Sequence, residues 1–243
     1  MGGMRKITLV AGAVLLAGAA LGIGLYFALQ RGASPTGAQE NGIIPLPEPR
    51  LVGEVSLEEA IARRRSIRSY ADSPLTLAEV GQLLWAAQGI TEPRRGFRAA
   101  PSAGATYPLE LHLVVGEGTV EGLAAGVYRY LPEGHRLSRR LTGDLRARLA
   151  AAALGQPWVR ASPVCIVITA VYRRTTARYG ERGVRYVHLE AGHVGQNIYL
   201  QAVALGLGTV AVGAFRDEEV AGLLELPPDE EPLYIFPVGR PEG

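Results

Sequence analysis

The sequence predicts an α+β domain, in which helices and strands mix without the regular alternation of a parallel α/β fold. Short apolar runs, LELHLVV at 109–115 and VCIVITAVY at 164–172, are typical of buried strands. A longer segment at 184–208, VRYVHLEAGHVGQNIYLQAVALGLG, carries apolar residues at helical spacing. Because no βαβ repeat orders these segments, α+β is the better assignment.

The N-terminal segment differs from the rest of the chain in composition. Residues 7–30 carry no charge and are long enough to cross a hydrocarbon core of about 30 Å. The run also exceeds the apolar core of a signal peptide, roughly 7–15 residues, which favours an uncleaved transmembrane helix. Arg5 and Lys6 precede it, so we expect residues 1–6 in the cytoplasm and a membrane-anchored, extracytoplasmic folded domain.

The next segment predicts a flexible linker. Residues 31–52 are rich in Gly and Pro and lack periodicity, so the folded domain is expected at 53–243. Its first two helices begin at SLEE (56–59) and TLAE (76–79), where a hydroxyl and a carboxylate can form a capping box. The later elements are a hairpin in VYRYLPEGHRLSR that turns near Glu133, a helix in GDLRARLAAAAL, the strand at 164–172, the long helix, a strand in TVAVGAF, a helix in DEEVAGLLEL and a strand in PLYIFPVG.

Composition excludes some classes of function. The chain is 48% hydrophobic and 20% charged, and its net charge of +2 is small and evenly spread, so no nucleic-acid partner is expected. Cys165 is the only cysteine, which rules out an internal disulfide. Lys6 is the only lysine. Cationic chemistry in the folded domain must therefore come from arginine.

The stretch RYGERGVRYVHLEAGHVGQN at 178–197 suggests a metal site at first sight. Its two histidines, His188 and His193, are however five residues apart, which separates them by roughly 140° around a helix. A helical zinc motif places its histidines four apart on one face. We therefore expect no metal.

Two clusters suggest a ligand, and each has an ordinary alternative. RRRSIRSY at 63–70 is either a solvated cationic helix end, favoured by the helix dipole, or a clamp of guanidiniums and a hydroxyl for a phosphate. PSAGATYPLE at 101–110 is either an ordinary turn or a rigid loop whose backbone approaches a flat ligand, with Ser102 able to bond the ligand's edge.

Four segments, taken together, resemble the SagB-type oxidoreductases of the FMN-dependent nitroreductase superfamily. They are RRRSIRSY, APSAGATYPLELHLV, RYGERGVRYVHLEAGHVGQNIYLQAVALGLGTVAVGAF and the terminal PLYIFPVGRP, and the resemblance covers about Gly53 to Arg240. It implies a nitroreductase-like fold, with a mixed or antiparallel sheet surrounded by helices, that binds FMN. It also implies a homodimer whose two flavin sites are each built from both chains.

The resemblance assigns individual residues to the cofactor. They are Arg64, Ser66 and Arg68 in the N-terminal flavin-binding motif, Pro101, Ser102, Ala103 and Gly104 in the loop beside the flavin ring, Gly213 and Ala214 in the turn whose amide faces flavin N5, and Arg240 near the phosphate. In the family the long helix packs at the dimer core and borders the flavin. On this interpretation four charged residues are structural ion-pair partners: Glu181, Arg182, Arg185 and Glu190. His193, Gln196 and Asn197 lie on adjoining faces, so only some of them can reach a ligand.

One departure from the family concerns catalysis. Azoline dehydrogenases of this family carry a Lys-Tyr pair where this chain has Arg178 and Tyr179. Arginine stays protonated and cannot act as the base, which disfavours peptide-ring oxidation and leaves Tyr179 as the candidate catalytic residue. The function expected is an FMN-dependent oxidoreductase that transfers a hydride through flavin N5, with a small-molecule or peptide substrate. The alternatives are a reductive or flavin-consuming enzyme of the same superfamily and a non-catalytic flavin-binding or flavin-storing protein.

Overall fold

The computed structural model describes residues 42–242, and its centre is a seven-stranded antiparallel sheet of order β1-β6-β5-β4-β7-β9-β8. The strands of this sheet are β1 (Ile43–Pro45), β4 (Leu109–Val115), β5 (Gly126–Leu131), β6 (Arg136–Thr142), β7 (Val164–Ala170), β8 (Gly208–Thr209) and β9 (Glu231–Gly239). A separate hairpin pairs β2 (Ile90–Glu92) with β3 (Phe97–Arg98). The helices are α1 (Leu57–Arg63), α2 (Leu77–Gln88), α3 (Arg146–Ala152), α4 (Pro157–Ala161), α5 (Arg173–Tyr179), α6 (Arg182–Ala204) and α7 (Asp217–Leu224). The α+β prediction is confirmed.

Helices cover both faces of the sheet, and this explains why its two central strands are buried along their whole length. Every residue of β4 and β7 is buried. Alternate residues of each strand point to opposite faces. One face packs on α2 and α6 through residues such as Leu84 and Val194. The other packs on α3, α4 and α7, and includes the buried Cys165.

Local capping decides where the first helices begin. Thr76 and Glu79 form the complete capping box that TLAE predicts, with each side chain bonded to the other residue's backbone N–H. Ser56 also accepts the N–H of Glu59, at 3.1 Å. The carboxylate of Glu59 pairs instead with Arg63, at 2.7 Å. The box at SLEE is therefore only half formed.

The folded part begins earlier than residue 53. Within the predicted linker, β1 pairs antiparallel with β6. Leu46 is buried, and the N–H of Arg50 donates to the side chain of Gln82 at 2.8 Å. Long-range contacts of this kind order a segment whose own composition predicts a coil.

The strand predicted in TVAVGAF is mostly absent. Only Gly208 and Thr209 pair in the sheet, and Val212 forms one isolated bridge with Ile235. The N–H of Ala211 donates to the Tyr199 hydroxyl at 2.8 Å. The Tyr199 hydroxyl, from α6, thus accepts an N–H that a continuous strand would use for pairing. The chain leaves the sheet at this point.

The predicted cytoplasmic segment at 1–6 and transmembrane helix at 7–30 lie outside the described residues. Within residues 42–242, no helix combines the length and the apolar character needed to cross a bilayer.

Candidate functional site

The N-terminal arginine segment meets the far half of α6 at Tyr199. Arg64 follows the last residue of α1, and its guanidinium lies 5.2 Å from the centre of the Tyr199 ring. The hydroxyls of Ser66 and Tyr199 are 3.0 Å apart. Ser66 is exposed and Arg64 is half-buried. The structure therefore brings together one guanidinium and one hydroxyl that are open to a ligand.

The other two predicted arginines have partners elsewhere. The Arg68 guanidinium lies 5.5 Å from the ring centre of Trp158. Arg240 donates to both carboxylate oxygens of Glu79, at 2.9 and 3.2 Å. A phosphate that approached Arg240 would have to compete with this carboxylate. Arg64 and Ser66 are thus the better placed anion ligands of the motif.

The Pro101–Gly104 loop packs against the end of α5. A short 3₁₀ turn covers 103–105, and Gly104 has φ of 60°. The Ser102 hydroxyl oxygen accepts the N–H of Tyr107 at 2.9 Å. Pro101 and Gly104 are exposed, while Ser102 and Ala103 are half-buried. The exposed Gly104 has no side chain, which suits close approach of a flat ligand to the backbone there.

Arg178 and Tyr179 lie beside this loop. Arg178 donates to the carbonyl oxygen of Gly104 at 3.3 Å. A Cβ carbon built at Gly104 would come within 2.5 Å of the Tyr179 hydroxyl. The Tyr179 ring meets Tyr186 edge-to-face, with 5.2 Å between ring centres. The candidate catalytic hydroxyl is therefore held against the backbone of the predicted flavin loop.

Gly213 and Ala214 form an exposed turn on the Tyr199 side of the molecule. A Cβ at Gly213 would lie 3.5 Å from the Tyr234 ring, and Tyr234 packs on Phe236, which packs on Tyr199. The turn and the Arg64 group thus border one cluster of aromatic rings.

The predicted residues form two groups at different levels of α6. The loop group faces Glu190, and the arginine group faces Tyr199, nine residues further along the helix. At 1.5 Å per residue the two levels are roughly 13 Å apart along the axis. A groove of about 740 Å³ lies between residues 50–60, α2 and α6, and none of the predicted cofactor residues lines it. The predicted cofactor residues therefore lie outside this groove.

The predicted ion-pair role is wrong for all four residues, Glu181, Arg182, Arg185 and Glu190, because none of them forms a salt bridge within residues 42–242. Glu190 Oε1 also has no hydrogen-bond partner among the described residues. Glu190 is only 2% exposed, and burial raises its pKa to about 7, against the opposing effects of Ser102, Gln88 and Arg98. Its position on the same face as Val187 and Ala191 is a sequence signal for burial that the ion-pair interpretation overlooked.

The other polar residues of α6 have varied surroundings. Arg182 lies over the Tyr186 ring, at 5.9 Å from its centre. Asn197 donates to the carbonyl of Ala86 at 2.9 Å, which commits it to packing α6 on α2. His193 and Gln196 are exposed. Tyr199, which organises the arginine group, was not predicted as a site residue.

Comparison with known proteins identifies relatives of the chain. A protein-family model described as the Nitroreductase family matches residues 61–240. A candidate nitroreductase of Methanocaldococcus jannaschii is 49% identical over 197 residues, which span 81% of this chain and 96% of that protein. The crystal structure of a candidate nitroreductase from Ralstonia eutropha superposes with a TM-score of 0.73 at 30% identity, and covers 87% of this chain and 96% of that one.

Two further relatives carry more specific names. The trifolitoxin-processing protein TfxB of Rhizobium leguminosarum is 32% identical over 151 residues, which are 60% of this chain but only 40% of that protein. An FMN reductase of Bacillus subtilis is 25% identical over 197 residues, which are 75% of this chain and 65% of that protein.

Proposed function

Because the chain belongs to the nitroreductase family, we propose that it is an FMN-dependent oxidoreductase of the SagB type, which works as a homodimer. The name of the FMN reductase relative supports the choice of FMN. The observation that carries the proposal is the position of the Tyr179 hydroxyl against the exposed backbone of Gly104. Bound FMN would supply hydride transfer at its N5, and the protein's own groups would bind, orient and move protons around it.

The residues present fit a flat, phosphorylated cofactor. Gly104 and Gly213 are both exposed, and each lies beside a tyrosine: the Tyr179 hydroxyl at Gly104 and the Tyr234 ring at Gly213. Arg64 and Ser66 supply a planar guanidinium and a hydroxyl for a phosphate. Arg240 would join them only by exchanging its bond to Glu79.

A second copy of the chain completes this arrangement. The two groups of predicted residues lie at different levels of α6. Large apolar side chains are also exposed on α1 and α6: Leu57 at 61%, Ile61 at 55%, Val184 at 39% and Leu189 at 55%. Leu57 and Ile61 are four residues apart and lie on one face of α1, and an exposed apolar face of this kind is typical of an interface. The homodimer would pair the loop of one copy with the arginine group of the other.

Tyr179 is the proposed proton donor or acceptor for the substrate. A hydride transfer must be balanced by a proton, and a phenol beside the ring can carry it. Arg178 stays protonated and already donates to Gly104, so it is a positioning group for the loop. Oxidation of azoline rings in peptides, which the resemblance to the azoline dehydrogenases of the family would imply, is the less favoured reaction for this reason.

A titration of the full-length chain with FMN and with riboflavin tests the proposal. We expect FMN to bind much more tightly, because only FMN carries the phosphate. Arg64→Ala should weaken FMN by about 1.5–3 kcal/mol, the range for a charged hydrogen bond, and leave riboflavin unaffected. Arg140→Ala, an exposed arginine on β6, is the matched control. Equal affinities for the two flavins would show that Arg64 and Ser66 do not bind the phosphate.

Turnover separates an enzyme from a flavin-storing protein. An enzyme should reoxidise its reduced flavin rapidly and repeatedly when an acceptor is added. Nitroaromatics, quinones and azolines are the acceptors or substrates to screen. Stoichiometric flavin binding without turnover on any of them would favour storage.

A further inference from the structure

A partly buried chain of polar contacts connects the β2–β3 hairpin to the loop at 101–104. Arg98 donates to Gln88 Oε1 at 3.0 Å, and its guanidinium lies 4.5 Å from the ring centre of Tyr107. Tyr107 in turn donates its N–H to Ser102 Oγ at 2.9 Å. Glu190 enters this chain from α6, beside Gln88 and Ser102.

The contacts leave specific hydrogen-bonding groups unused around Glu190. Gln88 uses its amide oxygen for Arg98, whereas its Nε2 is buried without a partner within the described residues. Ser102 Oγ accepts from Tyr107, so its hydroxyl hydrogen remains to be donated. Both donors approach Glu190, but neither closes a well-formed hydrogen bond on the buried Oε1. The ionised carboxylate has two acceptor oxygens and can accept from both donors.

The surroundings allow Glu190 to change its charge near neutral pH. Burial raises its pKa to about 7. The charged group that faces it is Arg98, from the hairpin, and the groups from α2 and the loop are the neutral Gln88 and Ser102. On the sheet side, β4 contributes apolar side chains such as Leu111 to the cluster that packs on α6.

We propose that Glu190 is a positioning residue that controls the Ser102 hydroxyl. When Glu190 is ionised, it accepts the Ser102 hydrogen and draws that donor away from the ligand. When Glu190 is protonated, Ser102 is free to donate to the edge of a flavin that lies against the loop. This inference rests on the proposed function, because it requires FMN at the Pro101–Gly104 loop.

Two measurements on the full-length chain test the inference, one of them without cofactor. The first is the FMN dissociation constant between pH 5.5 and 8.5. For the wild type we expect binding to weaken roughly three- to tenfold as pH rises through about 7. A change of this size corresponds to the loss of one hydrogen bond. Glu190→Gln and Ser102→Ala should each give a flat profile. Glu121→Gln, at an exposed glutamate, should keep the wild-type profile.

The second measurement is the infrared carbonyl stretch of a protonated buried carboxyl group, followed with pH in the flavin-free protein. We expect a band that Glu190→Gln removes and that titrates near neutral pH. Ser102→Ala should move its midpoint to higher pH, because a donor that favours the ionised form is lost. This variant keeps the test available if Glu190→Gln does not fold.

The outcomes distinguish this inference from the proposed function. FMN binding that is independent of pH in the wild type, or an unmoved infrared midpoint in Ser102→Ala, would overturn the inference alone. A chain that binds no FMN at any pH would overturn the proposed function and the inference together.

Discussion

The hydroxyl of Tyr179 lies against the backbone of Gly104, at a distance that leaves no room for a Cβ carbon on that residue. Such a carbon would come within 2.5 Å of the Tyr179 oxygen and 2.8 Å of an Arg178 nitrogen. Gly104 also has φ of 60°, in the left-handed region. The predicted flavin loop and the candidate catalytic residue are therefore coupled through one glycine.

Substitution of Gly104 tests this coupling. Gly104→Ala should lower the free energy of unfolding by about 1–2 kcal/mol for the left-handed backbone alone, with a further loss from the contact with Tyr179. Gly118→Ala is the matched control, since Gly118 has φ of 66° and open space around its Cβ position. Denaturant unfolding gives the free energy of unfolding of both variants, and the difference between their losses is the cost of the contact with Tyr179. Equal losses in the two variants would show that the Tyr179 side chain moves away from the new Cβ carbon at little cost.

The Tyr179 hydroxyl is expected to act in proton transfer. Tyr179→Phe keeps the ring and should lower turnover about 10²–10⁴-fold, the usual contribution of general acid–base catalysis, with unchanged FMN affinity. Tyr186→Phe removes the hydroxyl of the neighbouring ring and should leave turnover near normal. If Tyr179→Phe turns over like the wild type with every accepted substrate, the hydroxyl is not the proton source. A packing role alone would appear as loss of FMN or of the dimer in Tyr179→Ala.

The sequence predicts the elements whose pattern is local. The strand at 109–115 and the helix Arg182–Ala204 agree with their predicted positions within a few residues, because their apolar residues repeat at the period of the element. The segment after Thr209 does not form its predicted strand. The N–H of Ala211, which a strand would use for pairing, donates instead to the Tyr199 hydroxyl of α6. The strand at 43–45 escapes prediction for the same reason, because its register comes from β6.

In the candidate site, too, some residues lie as the local sequence predicts, and others have partners that the sequence does not reveal. The motif residues Arg64 and Ser66 lie together as expected, because only two positions separate them in the chain. The partners of Arg68 and Arg240 depend on tertiary packing, so spacing alone did not reveal Trp158 or Glu79.

The apolar surface of α6 should form part of the dimer. Leu189→Glu places a charge on a side chain that is 55% exposed, and Leu154, in the turn after α3, is exposed to the same 55%. We expect Leu189→Glu to convert a dimer to a monomer by sedimentation and to lose FMN with it, since the proposed site needs both copies. Leu154→Glu should remain a dimer with its flavin. A wild-type monomer with stoichiometric FMN would contradict the shared site.

The uncharged segment at 7–30 leads us to propose a membrane anchor for the full-length protein. The protein should stay in the membrane fraction through alkaline carbonate washing. A chain that starts at residue 42 keeps β1 and should be released. Protease added to intact cells should reach the folded domain, because Arg5 and Lys6 favour a cytoplasmic N-terminus. Recovery of a soluble form without its first thirty or so residues would indicate a cleaved signal instead.

A buried pair on the other face of the sheet predicts how stability depends on pH. His112 Nε2 and Glu230 Oε1 are 2.6 Å apart, and Thr169 donates to the same carboxyl oxygen. Burial opposes ionisation of Glu230, yet the hydrogen bonds from His112 and Thr169 hold its pKa below the ordinary value. A lowered pKa stabilises the fold above the ordinary glutamate pKa of about 4.3, and this stabilisation is lost as pH falls through the pKa of the folded state.

Glu230→Gln should therefore be less stable than the wild type at pH 6, by about 1.5–3 kcal/mol, and the difference should shrink as the solution is acidified below pH 4. Glu190→Gln is the control of opposite sign. Because the folded-state pKa of Glu190 is raised to about 7, its neutral form contributes stability that the wild type loses as pH rises through 7. Relative to the wild type, Glu190→Gln should gain stability as pH rises from about 4.3 to 7 and keep that gain at higher pH. Denaturant midpoints measured from pH 3 to 8 give both curves, and a Glu230→Gln deficit that is the same at every pH would show that the pair acts through packing and not through charge.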